Sequence, residues 1–319
     1  MSAIALRGPV RVVVRQHRRA LWAAAALLLL GIGTVVALRI WIANSDELCA
    51  DGDTTTCGDD FYLPSFARTT AETFLADGGT VMVLLGLLVG AFVAGPLIAR
   101  ELESGTFRLA WAQSASPAQW LTARLAFPAA LAVSGTTVLA LAYGWGRSYL
   151  LRSQNSSGLG WYETGVNPAL GTTAAAFALL AVGVGALCAL LVRRTVLAMG
   201  VTVALLGTVA LGLGRVRQSL WPSLRAVGEQ PDSGSWYLDS GMLTASGEAI
   251  YWKDCSKSGR TDPEDPASCL RDQGGVTGFS DYHPASHFWP LQLVETGILL
   301  ALAALAVVIA FRVLRRRHG

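Results

Sequence analysis

The chain has 319 residues, of which 52% are hydrophobic and only 15% charged. A soluble domain carries roughly a quarter charged residues, so this composition excludes an ordinary water-soluble enzyme and points to the membrane. A net charge of +3 is too small to mark a nucleic-acid binder; its placement along the chain is the informative part.

In chain order, residues 1–19 come first. Arg7, Arg11, Arg15 and Arg18 are spaced by four, four and three, which puts them on one helical face, with Val10, Val13 and Val14 off it. Pro9 suits a first turn. This predicts a basic amphipathic helix lying on membrane lipid; the alternative is an unstructured tail that only sets orientation. Residues 20–43 follow as an apolar run too long for a signal-peptide core and without a convincing cleavage site, so it reads as a retained anchor. Further apolar runs cover 79–99, 122–146, 169–192, 196–214 and 290–312. Each approaches the roughly 20 residues that a helix needs to cross about 30 Å of hydrocarbon. Lipid cannot satisfy open backbone groups, so the runs are helices. Gly86 and Gly90 have the spacing for close helix approach.

The expected fold is an all-α integral membrane protein of six transmembrane helices. An interfacial helix occupies 1–19, spans one to five fill 20–214, and an elbow at 100–116 joins spans two and three. A large extracellular loop domain occupies 215–289, between spans five and six, and the sixth span with a basic tail occupies 290–319. Orientation follows from the arginines. The pieces 1–19, 100–124, 193–194 and 312–319 hold 14 of the 25 Lys and Arg residues, while the opposite loops hold 19 of the 22 acids. The basic side faces the cytoplasm, so both termini are expected there, in the plasma membrane.

The 100–116 stretch carries the strongest local signals. Helical character continues past Arg100 through Glu101 and Glu103, and Gly105 offers a stop. Ser116, Pro117 and Gln119 make an N-cap, a first-turn proline and a capping box. The link is therefore expected to be a folded elbow whose second helix runs into span three. In the last outer loop, Ser246-Gly247 could turn a hairpin between 234–244 and 249–253.

Cys49 and Cys57 lie in the first outer loop, and Cys255 and Cys269 in the last. On the oxidising side these suggest disulfides Cys49–Cys57 and Cys255–Cys269, with other pairings such as Cys49–Cys269 open. Cys188, inside span four, reads as a small packing residue. A zinc site from Cys255, Cys269, His283 and His287 has usable spacing, but the oxidising side favours the bridge, so no metal is expected. No Gly-Lys pair occurs, which excludes a P-loop, and no nucleophile elbow accompanies the histidines. The chain is therefore expected not to be an enzyme and to hold no cofactor. Glu295 is the one acid placed within a span. It reads either as a contact in a translocation path or gate, or as half of an ion pair with Arg215, Arg217 or Arg147. Arg39 is expected to snorkel to the headgroups.

The run Gly95-Pro96-Leu97-Ile98-Ala99-Arg100-Glu101-Leu102-Glu103-Ser104-Gly105-Thr106-Phe107-Arg108-Leu109-Ala110-Trp111 resembles the segment after the second span of ABC-2 type transporter permeases. The stretch from Tyr282 to Glu295, with His283, His287 and Trp289, is similar to the approach to the sixth span in actinobacterial members. The resemblance implies a permease subunit of an ABC exporter. Two six-span subunits, identical or different, would pair around the substrate path. Each would bind a separate cytosolic ATPase subunit carrying ATP and Mg. It also implies that Arg100, Glu101, Glu103, Gly105, Thr106 and Arg108 lie at or beside the ATPase contact, and that 1–19 is the family's connecting helix. The 215–289 loop is larger than the family's short outer segment. A membrane sensor or scaffold reading the outside through that loop is the second reading.

Overall fold

In the computed structural model, residues 18–45, 48–49, 62–63, 65–105, 116–151, 159–192, 194–257, 265 and 267–318 are described. The expected 1–17 part of the interfacial helix lies outside them. So do the 106–115 part of the elbow and Cys57, with the side chain of Cys49.

Among the described residues, six helices are long and apolar enough to cross a membrane, and the chain is a multi-pass membrane protein. The first span is α1 (Arg18–Ala43). A two-residue strand pair follows, β1 (Leu48–Cys49) with β2 (Tyr62–Leu63). The second span is built in pieces: α2 (Phe66–Ala76), α3 (Gly78–Leu88), a π-helical turn over Val89–Ala94, and α4 (Gly95–Ser104). Ser65 caps its start, its hydroxyl accepting from the Arg68 N–H. The wide turn sits immediately before Pro96, which has no N–H to give and whose ring crowds the preceding turn. Gly105, at φ +73°, ends the helix in the left-handed conformation that glycine adopts without strain.

The third span, α5 (Pro117–Leu150), starts on a reciprocal capping box. The Ser116 hydroxyl accepts from the Gln119 backbone N–H at 3.2 Å, and the Gln119 side-chain oxygen accepts from the Ser116 N–H at 3.1 Å. A short α6 (Asn167–Leu170) leads to the fourth span, α7 (Thr173–Val192), and the fifth is α8 (Thr195–Val216). The α7 helix is the hub. It packs on the second, third, fifth and sixth spans, and 67% of its apolar window is buried, against 6% for α1. Small residues make this possible. Gly90 on the second span and Gly185 on α7 meet so closely that a Cβ at either would strike the other helix's backbone. Cys188 is buried in α7.

After a 3₁₀ turn at Arg217–Ser219 the chain leaves the bundle. It forms β3 (Leu224–Val227), β4 (Trp236–Thr244), β5 (Ala249–Tyr251), α9 (Trp252–Lys257), α10 (Ser268–Asp272) and β6 (Gly275–His283). The sheet is antiparallel in the order β3-β6-β4-β5. Gly247, at φ +84°, turns the β4–β5 hairpin. Cys255 and Cys269 form a disulfide, which packs with Leu270 against Met242, Ile250 and Trp252 as a small core. Arg225 faces Asp281 across the β3–β6 ladder and holds it bidentately at 2.7 and 2.8 Å. The sixth span is α11 (Phe288–His318).

Two local details differ from the sequence reading. The sixth helix begins at Phe288, directly after a 3₁₀ turn over Ala285–His287. Arg39 stays against protein: its guanidinium lies 4.0 Å from the Trp145 ring and 4.7 Å from that of Tyr149, and it donates to the Trp145 carbonyl. Both aromatic faces attract the cation electrostatically.

Candidate functional site

The first site lies where the second span leaves the bundle, at the end carrying the elbow. Glu101 and Glu103 are two residues apart on α4, so their side chains diverge. Glu101 turns to the third span, where it accepts from the Trp120 indole N–H at 2.9 Å and pairs with Arg124. Trp120 and Arg124 are four apart on α5 and present one face. Glu103 turns to the fifth span. Its two oxygens accept from the Thr195 backbone N–H at 2.9 Å and the Thr195 hydroxyl at 2.5 Å. That places a carboxylate on the N-terminus of α8, where open N–H groups and the helix dipole favour negative charge.

The two acids therefore fasten the end of the second span to the third and the fifth at once. Arg100 is exposed beside them, and Gly105 closes the helix. Thr106 and Arg108 lie outside the described residues. Sequence reading selected both glutamates but not Trp120, Arg124 or Thr195. The i, i+4 spacing of Trp120 and Arg124 just inside a capped helix was the available signal. Nothing local marks Thr195, 92 residues from Glu103.

The second site lies near the sheet end of the bundle. Glu295 on α11 is 3% exposed and Arg217 is 6% exposed. They form a bidentate pair at 2.8 and 3.0 Å, so each charge is cancelled where neither could be left alone. Of the three arginines weighed for Glu295, the partner is Arg217. One turn before Glu295, Gln292 is fully buried. Its amide donates to the Asn167 carbonyl and side-chain oxygen at 2.9 and 3.0 Å, and its oxygen accepts from Thr173 at 2.6 Å. Gln292 and Glu295 share a helix face, a pattern available in the sequence and not used there. A cavity of about 320 Å³ opens between the second, fourth, fifth and sixth spans. Arg217, Glu295, Thr80, Thr164 and Thr173 stand in its otherwise apolar wall.

The pair also marks the neck of the sheet domain. Arg217 begins the outgoing turn and Glu295 follows the returning strand. Between them the buried His283 sets its Nε2 2.9 Å from the Gln218 carbonyl. A carbonyl only accepts, so Nε2 carries the proton, and in the neutral pair His287 donates through Nδ1 to His283 Nδ1 at 3.0 Å. The Cys255 and Cys269 thiols, considered as zinc ligands with these histidines, are spent on their bridge. Among the described residues no group of three or more His, Cys, Asp or Glu side chains could hold a metal ion.

Comparison with known proteins gives one family. The sequence profile described as ABC-2 membrane transporter related matches residues 19–217. That span is more than half of the chain and takes in five spans and both carboxylate clamps. No curated protein and no solved structure matches the chain. The chain belongs to the ABC-2 membrane transporter related family.

Proposed function

From its place in this family, we propose that the chain is the permease subunit of an ABC exporter in the plasma membrane, with both termini cytoplasmic. Two subunits form the substrate path, and each is driven by a separate ATPase subunit that binds ATP and Mg. Membership in a permease family already makes the chain a transport component that is not itself catalytic.

The observation that carries the reading is the double clamp at Glu101 and Glu103. A permease without a nucleotide site has to receive motion from a partner. A push delivered at 100–116 arrives at a helix end bonded to two other spans, so three spans move for one displacement. A slack link would absorb it. Arg100, Glu101, Glu103, Gly105, Thr106 and Arg108 are the proposed contact and its flank, and the Glu295 cavity is the proposed segment of the substrate path or its gate.

The test is purification from native membranes in mild detergent, followed by identification of what co-purifies. A P-loop ATPase that accompanies the wild-type chain, and is lost from a Glu101→Lys/Glu103→Lys variant that still elutes as a folded monomer or dimer, is the expected result. Absence of any ATPase after cross-linking sinks the reading and moves a sensor working through the sheet domain to first place.

A further inference from the structure

Two cavities adjoin between the first span and the second and third spans. The larger, about 280 Å³, is walled by residues such as Leu38, Phe74 and Tyr143 toward the sheet end. The smaller, about 90 Å³, continues toward the elbow end past Ala24, Val89 and Leu131. They share Leu27, Leu85 and Leu139, so together they form one slot. Along α1 the slot runs from Ala24 to Leu38, about 21 Å at 1.5 Å per residue. That is more than half of about 30 Å of hydrocarbon. Its rim residues Leu27, Leu30, Phe74 and Val81 are exposed, so the slot is open sideways to the bilayer.

The chemistry of the wall narrows the occupant. Three hydroxyls stand in it, and each is already donated to the protein backbone: Thr34 to Leu30 at 2.8 Å, Thr136 to Ala132 at 2.7 Å and Tyr143 to Leu75 at 2.7 Å. A guest finds no free donor and no charge, so only apolar contact holds it. The two volumes spread over about 21 Å leave a cross-section of about 18 Å², too small for a transmembrane helix about 10–12 Å across. A single hydrocarbon chain is thin enough, and the medium around the slot consists of such chains. The Glu295 cavity is different in kind, because its wall carries an ion pair.

We infer that the slot between the first span and spans two and three is a lipid site, holding one acyl chain of a bilayer phospholipid inserted from the sheet-side leaflet. The chain wedges the least buried span, α1, against the bundle, and this holds whether or not the exporter reading does.

A phospholipid with a photoactivatable group along its acyl chain, reconstituted with the full-length protein, tests this. Expected is severalfold heavier labelling of the slot residues than of the exposed Leu300, Leu302 and Leu305 on α11. Gly135→Leu and Ala142→Leu, each filling the slot at a different depth, should remove that excess. Gly135 has room for a larger side chain, with Leu28 3.8 Å from where its Cβ would stand. Equal labelling of the two faces, or an excess unchanged in both variants, overturns the site. Labelling by a photoactivatable free fatty acid but not by the phospholipid overturns the assignment to bilayer lipid.

Discussion

Glu295 and Arg217 show what a buried charge costs and what it does. Each oxygen of the carboxylate meets one guanidinium nitrogen, and both residues are shielded from water. Removing one partner strands the other. Glu295→Leu should destabilise the protein by about 3–5 kcal/mol, whereas Arg217→Met combined with Glu295→Leu should recover most of that loss. Thermal unfolding in detergent of the two single variants and the double variant measures this. An additive double variant would mean that the two side chains do not interact. Much at this scale could be read before any coordinates. Gly105 as a helix stop and Ser116 with Gln119 as a capping box are local devices, written in residues at most three apart. The partners of Glu101, Glu103 and Gln292 could not be read, because each lies on another helix and only packing brings it near.

At the scale of elements, the six spans were legible because charge-free runs of that length leave the backbone no alternative to helix. The interruptions within them were not. The break at Asp77 sits where Tyr143 donates to the Leu75 carbonyl and the Gly79 N–H donates to the Gly165 carbonyl, contacts that no window of sequence reports. The sheet was visible only as turn signals and aromatics, since its order β3-β6-β4-β5 pairs strands far apart in the chain. Its ladder carries a testable charge. The Arg225 guanidinium beside Asp281 holds that carboxyl below its ordinary value of 3.8, against the opposing effect of burial. A folded value below the unfolded one stabilises the fold above the unfolded value and ceases to do so as pH falls through the folded value. The sheet domain should therefore keep this contribution at every pH above about 4 and lose it below, while Asp281→Asn should lack it throughout. Acid titration of the unfolding temperature in wild type and variant checks the sign. A variant whose loss in strong acid matches the wild type's from an equal neutral starting point would refute it.

For the whole molecule, the question is which spans move together. The α7 helix sits at the centre and touches most of the bundle, while α1 is the least buried of the six spans. Between them, the clamps at Glu101 and Glu103 group the second, third and fifth spans at one end. On the proposed exporter reading, that group is the lever that receives the stroke of a partner ATPase, and its internal contacts hold through the cycle. Replacing the Glu103–Thr195 hydrogen bonds with a covalent link should then leave turnover nearly unchanged. Glu103→Cys with Thr195→Cys, oxidised in the complex purified with its ATPase, makes that link. The free Cys188 is buried within α7 and does not compete for it. The expected result is ATP hydrolysis by the complex within about twofold of the reduced state, less than 0.5 kcal/mol on the barrier. Separate loss of the hydroxyl hydrogen bond by Thr195→Val, which keeps the backbone N–H bond to Glu103, should instead loosen the joint and lower the response of hydrolysis to the permease. Arrest of hydrolysis on oxidation, restored by reduction, would show that the second and fifth spans part company during the cycle, and the clamp would then be a latch that opens rather than a joint that holds.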